Sequence, residues 1–152
     1  ERLMGFEGAD RRTTTRLLDG EFPKYRSLLP SESSTHARVD TASLIEAVKR
    51  VALVAERNTP LRLTFSGAEV ALRAGNGEDA QAEEVVEASI DGDDIEIAFN
   101  PVYLQDGLTS IDAGTAQFAF TQATRPAVIT GMVDGSSVEE YRYLLMPVRL
   151  TG

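Results

Sequence analysis

The sequence contains no cysteine. That excludes disulfides, thiolate zinc sites and cysteine nucleophiles, and it fits a cytosolic, cytoplasmic protein. There is one histidine, His36, set among Ser33, Ser34 and Thr35. A lone imidazole in a hydroxyl-rich setting reads as a surface or strand-edge residue, because metal and triad sites need partners. No apolar run approaches the roughly 18 residues of a membrane span. No signal peptide is visible, and the chain opens Glu1-Arg2 rather than with Met, which suggests a piece of something longer. Lys and Arg are missing from the stretch Glu78–Glu96, which holds nine acids. Removing those nine from the 24 acids leaves 15, matching all 15 bases. The net charge of −9 is therefore confined to one segment. One face can repel polyanions while another attracts them.

What is present is a 152-residue chain that is 42% hydrophobic, enough for one domain with a proper core or one domain plus a fragment. Residues 1–30 read as the end of an earlier unit. Arg11–Leu18 has Thr-rich strand character. Asp19-Gly20 is a turn, and Phe22–Pro30 is extended between prolines. Ser31–Ser34 is the expected domain boundary. A strand over Thr35–Val39 precedes a helix with its body at Ser43–Arg57, capped by Asp40 or Thr41. Leu44, Val48, Val51, Ala52 and Ala55 form its buried stripe, opposite Glu46, Lys49, Arg50, Leu53 and Arg57. Asn58-Thr59-Pro60 stops it.

Alternating strands follow at Leu61–Phe65, Val70–Ala74, Ala80–Ile90 and Ile95–Phe99. Asn100-Pro101 opens a second helix, with Asn as N-cap and Pro at the first helical position. Leu104, Leu108 and Ile111 line its apolar face, and Gly107 weakens it. Three strands close the chain at Thr115–Thr121, Pro126–Val133 and Glu140–Val148. The order predicts an α+β fold: a doubled β-α-β-β-β unit with both helices on one side of antiparallel sheets.

The last stretch, Tyr141–Leu150, stays apolar almost to the chain end, although chain ends are usually polar and frayed. Tyr141, Tyr143 and Leu145 share one strand face, and Arg142 and Leu144 the other. Pro147 breaks the strand. Such a terminus either packs as the last strand of a core or forms the lip of a groove.

Little in the chain suggests catalysis. Gly75-Asn76-Gly77-Glu78-Asp79-Ala80 approaches a dinucleotide fingerprint, but a strand follows where a helix is required, so it reads as a hairpin turn. Asp91-Gly92-Asp93-Asp94 lacks the ligand order of a calcium loop and reads as a solvated turn. Glu83 and Glu84 point to opposite strand faces and cannot share a proton. No nucleophile–base motif stands out, and neither an enzyme, a cofactor nor a metal is expected. The Lys49, Arg50 and Arg57 face is a modest positive signal; the alternative is an ordinary solvated face.

Three stretches resemble the bacterial sliding clamp family, the β subunit of DNA polymerase III. They are Leu18–Pro30, Ile97–Leu104 and Tyr143–Leu150, in the family's order. The resemblance implies the DNA-clamp fold, with residues 1–30 as the tail of the middle domain and the interdomain linker, and 31–152 as the C-terminal (third) domain. It implies a homodimeric ring around duplex DNA that tethers polymerases and repair enzymes and is served by a clamp loader, with no membrane role. The first domain is absent, so this piece alone is expected to be monomeric. Leu53 and Val54 would lie at the protomer contact. Lys49, Arg50 and Arg57 would meet phosphates without reading bases.

Partners of the family dock a short motif in a groove. Its wall here would be Pro23 and Leu28 from the linker, Asn100 and Tyr103 from the start of the second helix, and Thr124 and Pro126 from the penultimate strand. Leu144, Met146, Pro147, Val148 and Arg149 would complete it. Ser27 stands where the family has a second arginine. Val128–Glu140 departs most from the family pattern. The competing reading is a generic α+β interaction domain with an acidic face and no DNA role.

Overall fold

The computed structural model describes residues 2–55, 59–75, 81–138 and 140–149. Strands β1 (Leu3–Gly8) and β2 (Arg11–Arg16) form a separate antiparallel hairpin in which every residue is exposed. The sequence reading did not single out β1, whose two glycines dilute its strand character. The linker is extended, with one 3₁₀ turn at Tyr25–Ser27.

The remainder runs β3 (Thr35–Asp40), α1 (Thr41–Ala52), β4 (Leu61–Ser66), β5 (Glu69–Ala74) and β6 (Ala82–Asp91). It continues as β7 (Ile95–Phe99), α2 (Pro101–Thr109), β8 (Thr115–Phe120), β9 (Ala127–Val133), β10 (Ser136–Ser137) and β11 (Tyr143–Leu145). This is the doubled β-α-β-β-β order expected from the sequence, with the two-residue β10 added; β10 and β11 both pair with β9. All strand pairs are antiparallel. The ten-residue β6 joins two sheets: Ala82–Glu87 pair with β5, and Ala88–Asp91 with β3.

Alternation builds the core. Leu61, Leu63 and Phe65 of β4 are fully buried, as are Val70 and Leu72 of β5. The rings of Phe65, Phe118 and Phe120 meet at centroid distances of 5.0–5.9 Å. Each such side chain contributes about 1.5–3 kcal/mol by leaving water. Both helices press onto this one cluster through Leu44, Val48, Val51, Leu104 and Leu108.

Several boundaries differ from expectation. Helix α1 begins at Thr41, where the Asp40 carboxylate accepts the Ser43 N–H at 2.8 Å. It ends at Ala52 rather than Arg57, because the chain tightens into i→i−3 bonds at Leu53, Val54 and Ala55. Arg57 lies outside the described residues, as do the Asn76–Ala80 part of the glycine-rich turn and Leu150. The acidic strand begins at Ala82. The final strand is only three residues long, because β9 offers it a pairing edge only from Ala127 to Ile129. At the Asp91–Asp94 turn, Gly92 has φ +119°, and a Cβ there would strike the Ser34 carbonyl. Thr35 Oγ1 donates to the Asp93 carbonyl at 3.0 Å, fixing the same turn.

Candidate functional site

Besides the pairing of β11 with β9, side-chain and backbone contacts hold the tail to the domain. Leu145 is buried in the core. The Tyr143 ring lies on Gly107, and its hydroxyl donates to the Tyr103 carbonyl at 3.0 Å. Burial raises the Tyr143 phenol above its ordinary pKa, with nearby Asp106 adding to the effect. Beyond Pro147, the Val148 N–H donates to the Ala98 carbonyl of β7 at 2.8 Å. The backbone is thereby fixed while apolar side chains stay in water: Met146 is 57% exposed and Val148 38%. Alternation explains the split. Tyr143 and Leu145 face the core, and Leu144, half-buried, faces outward with Met146.

Two cavities border this region. One, of about 280 Å³, is lined by Thr124, Pro147, Val148 and Arg149, together with Glu96, Ile97 and Ala98 of β7 and Ala123. The other, of about 400 Å³, is lined by Ser27–Glu32 with Thr121, Arg125 and Pro126. The loop from Thr121 to Pro126 contributes to both. Of the residues expected in a groove, four line the first cavity, and Leu28 and Pro126 line the second. Pro23, Asn100, Tyr103, Leu144 and Met146 line neither. Asn100 spends its side-chain oxygen on the α2 cap, accepting from Val102 N at 2.9 Å and Tyr103 N at 3.4 Å. Tyr103 is 59% exposed. The β7 contribution was not foreseen. It follows from the path of the tail over β7, which the Val148–Ala98 bond fixes.

The charged face of α1 is paired with carboxylates. Lys49 Nζ lies 2.8 Å from Glu46 Oε1. The Arg50 guanidinium donates through Nε and Nη2 to the two oxygens of Glu84, the Nη2 bond measuring 2.6 Å. That fork lowers the Glu84 carboxyl below the ordinary carboxylate range and raises Arg50. Glu83 pairs with Arg73 instead, at 2.7 Å, as strand alternation requires. Just past the helix, Leu53 is 84% exposed, while Val54 packs against the core.

A doubled β-α-β-β-β domain, with helices on one face and an anchored apolar tail, defines a domain of the DNA-clamp class. A family model described as "DNA polymerase III beta subunit, C-terminal domain" matches residues 26–149, and the chain belongs to that family. The chain is 57% identical over 154 residues to the beta sliding clamp of Streptomyces coelicolor, covering 100% of this chain and 41% of that protein. Among solved structures it resembles the DNA polymerase sliding clamp of Pseudomonas aeruginosa, with TM-score 0.80 and 31% identity over 91% of this chain and 37% of that one. It also resembles the DNA polymerase III beta subunit of Thermotoga maritima, with TM-score 0.83 and 26% identity over 99% of this chain and 40% of that one. The chain thus spans about two fifths of the length of these relatives. Among the described residues, no helix is long and apolar enough to cross a membrane.

Proposed function

We propose that this chain is the third domain, with the preceding linker and the tail of the middle domain, of a cytoplasmic, non-catalytic replication clamp. In this reading the whole protein is a homodimeric ring that surrounds duplex DNA and tethers polymerases and other motif-bearing partners. A clamp loader places it on DNA. Leu53 and Val54 meet the first domain of the other protomer, and Lys49, Arg50 and Arg57 face the duplex. Family membership supports the ring. The exposed Leu53, on an otherwise charged side, supports the protomer contact.

The observation that carries the partner site is the anchored apolar tail. Met146 and Val148 remain in water although the backbone between Leu145 and Val148 is fixed at both ends. A fixed, exposed apolar edge is preorganised for a short peptide. Methionine suits a surface that serves several ligands, because its unbranched, polarisable chain adapts to each. Arg149 supplies a donor for a peptide carbonyl or carboxylate.

The test is Met146→Ala in the whole protein. A few anchors dominate a small interface, and truncating one costs on the order of 2 kcal/mol. Calorimetric titration of a polymerase-derived clamp-binding peptide is expected to show affinity weakened roughly ten- to thirtyfold. The melting temperature is expected to hold, since the side chain is mostly exposed. Unchanged affinity with a large loss of stability would remove Met146 from the groove. The ring itself is tested by retention on closed circular DNA at high salt and loss from linear ends.

A further inference from the structure

The cations of α1 do not stand free. Arg50 is gripped by both oxygens of Glu84 through two guanidinium donors, in the forked geometry that a phosphate would use. Glu84 reaches it because β6 alternates: Glu83 turns to Arg73 on one side of the strand, and Glu84 turns to α1 on the other. The Glu84 side chain is 27% exposed and Arg50 56%, so the carboxylate is the more covered partner and the guanidinium stays open to an incoming phosphate. We propose that Glu84 is an intramolecular competitor for DNA phosphate at Arg50, keeping that contact weak and quickly exchanged.

The proposal rests on the DNA-facing reading of α1. A phosphate that takes Arg50 must displace a carboxylate of the same geometry. It also leaves the Glu84 charge unpaired beside the new anion. Each contact is then an exchange of one ion pair for another, with a smaller gain than a free guanidinium would give, and its reversal is fast. For a ring that must move along a duplex, loosely held backbone contacts are the useful kind. Sequence-independent phosphate contacts set affinity and its salt dependence without fixing a position.

The experiment uses the whole protein and a fluorescein-labelled linear duplex, with affinity measured across a salt series. Glu84→Gln keeps the side-chain size and an acceptor oxygen but removes the charge. It is expected to tighten binding about three- to tenfold at low salt and to steepen the salt slope by up to about 0.9, one phosphate's worth. Glu83→Gln makes the same change in net charge one residue away, on the Arg73 side. It is expected to change affinity less than about twofold, because only the Arg50 side faces the duplex in this reading. Arg50→Ala is expected to weaken binding, and Glu84→Gln added to it is expected to tighten binding less than it does in the parent and to leave the salt slope unsteepened, because no guanidinium is released. Equal tightening by Glu83→Gln and Glu84→Gln would mean net charge alone acts and would overturn the proposal. So would an unchanged Glu84→Gln alongside a weakened Arg50→Ala, which would leave the DNA-facing reading standing. If Arg50→Ala also leaves binding unchanged, the DNA-facing assignment of Arg50 falls and the competitor role falls with it. A thermal melt of each variant confirms that folded protein is compared.

Discussion

Replacing Gly107 with alanine separates two accounts of this helix by sign. Judged by helix propensity alone, Gly107→Ala in α2 stabilises by about 1 kcal/mol. The structure predicts the reverse. A Cβ at Gly107 would stand 2.5 Å from both Cδ1 and Cε1 of Tyr143 and 3.0 Å from Cζ. Carbon–carbon contacts settle near 3.5–4.0 Å, so the ring must retreat by roughly 1 Å. That motion breaks the Tyr143 hydroxyl bond to the Tyr103 carbonyl, 3.0 Å long, at a cost of about 1 kcal/mol. Overpacking a close contact adds about 1–3 kcal/mol. After the propensity gain, the net loss is about 1–3 kcal/mol, which lowers the melting temperature by roughly 3–10 °C for a domain of this size. Urea and thermal melts read the stability. A spectrophotometric titration reads the ring: burial now raises the Tyr143 phenol, and displacement lets it fall toward its ordinary value. In a Tyr143→Leu background the clash is relieved, so adding Gly107→Ala is expected to cost little. A Gly107→Ala variant that melts higher than the parent, with unchanged tyrosine titration, would show that the Tyr143–Gly107 contact does not constrain α2.

Two further outcomes follow from the helix ends. Leu53 has little packing to lose, so Leu53→Ser is expected to leave the thermal melt within about 0.5 kcal/mol of the parent. In the whole protein it is expected to weaken protomer association about thirtyfold, read by sedimentation; unchanged association would return Leu53 to an incidental surface residue. Asp40→Ala removes the α1 cap and is expected to cost about 1 kcal/mol near neutral pH. The Asp40 carboxyl is lowered by its bonds to Ser43, so its contribution is present above the ordinary carboxylate range and is lost as pH falls through the lowered value. The stability gap between parent and variant, from urea melts, is expected to narrow below about pH 4; a gap constant with pH would assign the loss to something other than the ionised cap.

Local chemistry made much of the fold legible. The Asn100-Pro101 start of α2 is written in a cap residue and a donor-less first position, both of which act within one turn. The buried faces of β4 and β5 follow from period-two alternation. Glu83 and Glu84 diverge for the same reason. The tail stood out because Pro147 interrupts an alternating apolar run and so breaks the strand there. Strand β1 was obscured by its two glycines, and the early end of α1 by Ala55, which carries its apolar stripe past Ala52.

What only the tertiary structure decided are contacts whose partners lie far apart in sequence. Arg50 meets Glu84 across 34 residues, so a face that reads as positive is internally paired. Val148 meets Ala98, which brings β7 into the cavity wall and leaves Met146 outside it. Gly107 reads as a weak point in a helix, yet it is the space Tyr143 occupies. Caps, turns and alternation are set by neighbours within a few residues, and the local order of residues is enough to reveal them. The register between β6 and α1, and the path of the tail over β7, are set by packing of the whole core, so the pairings that tune the charged face and shape the cavity wall appear only once the chain has folded.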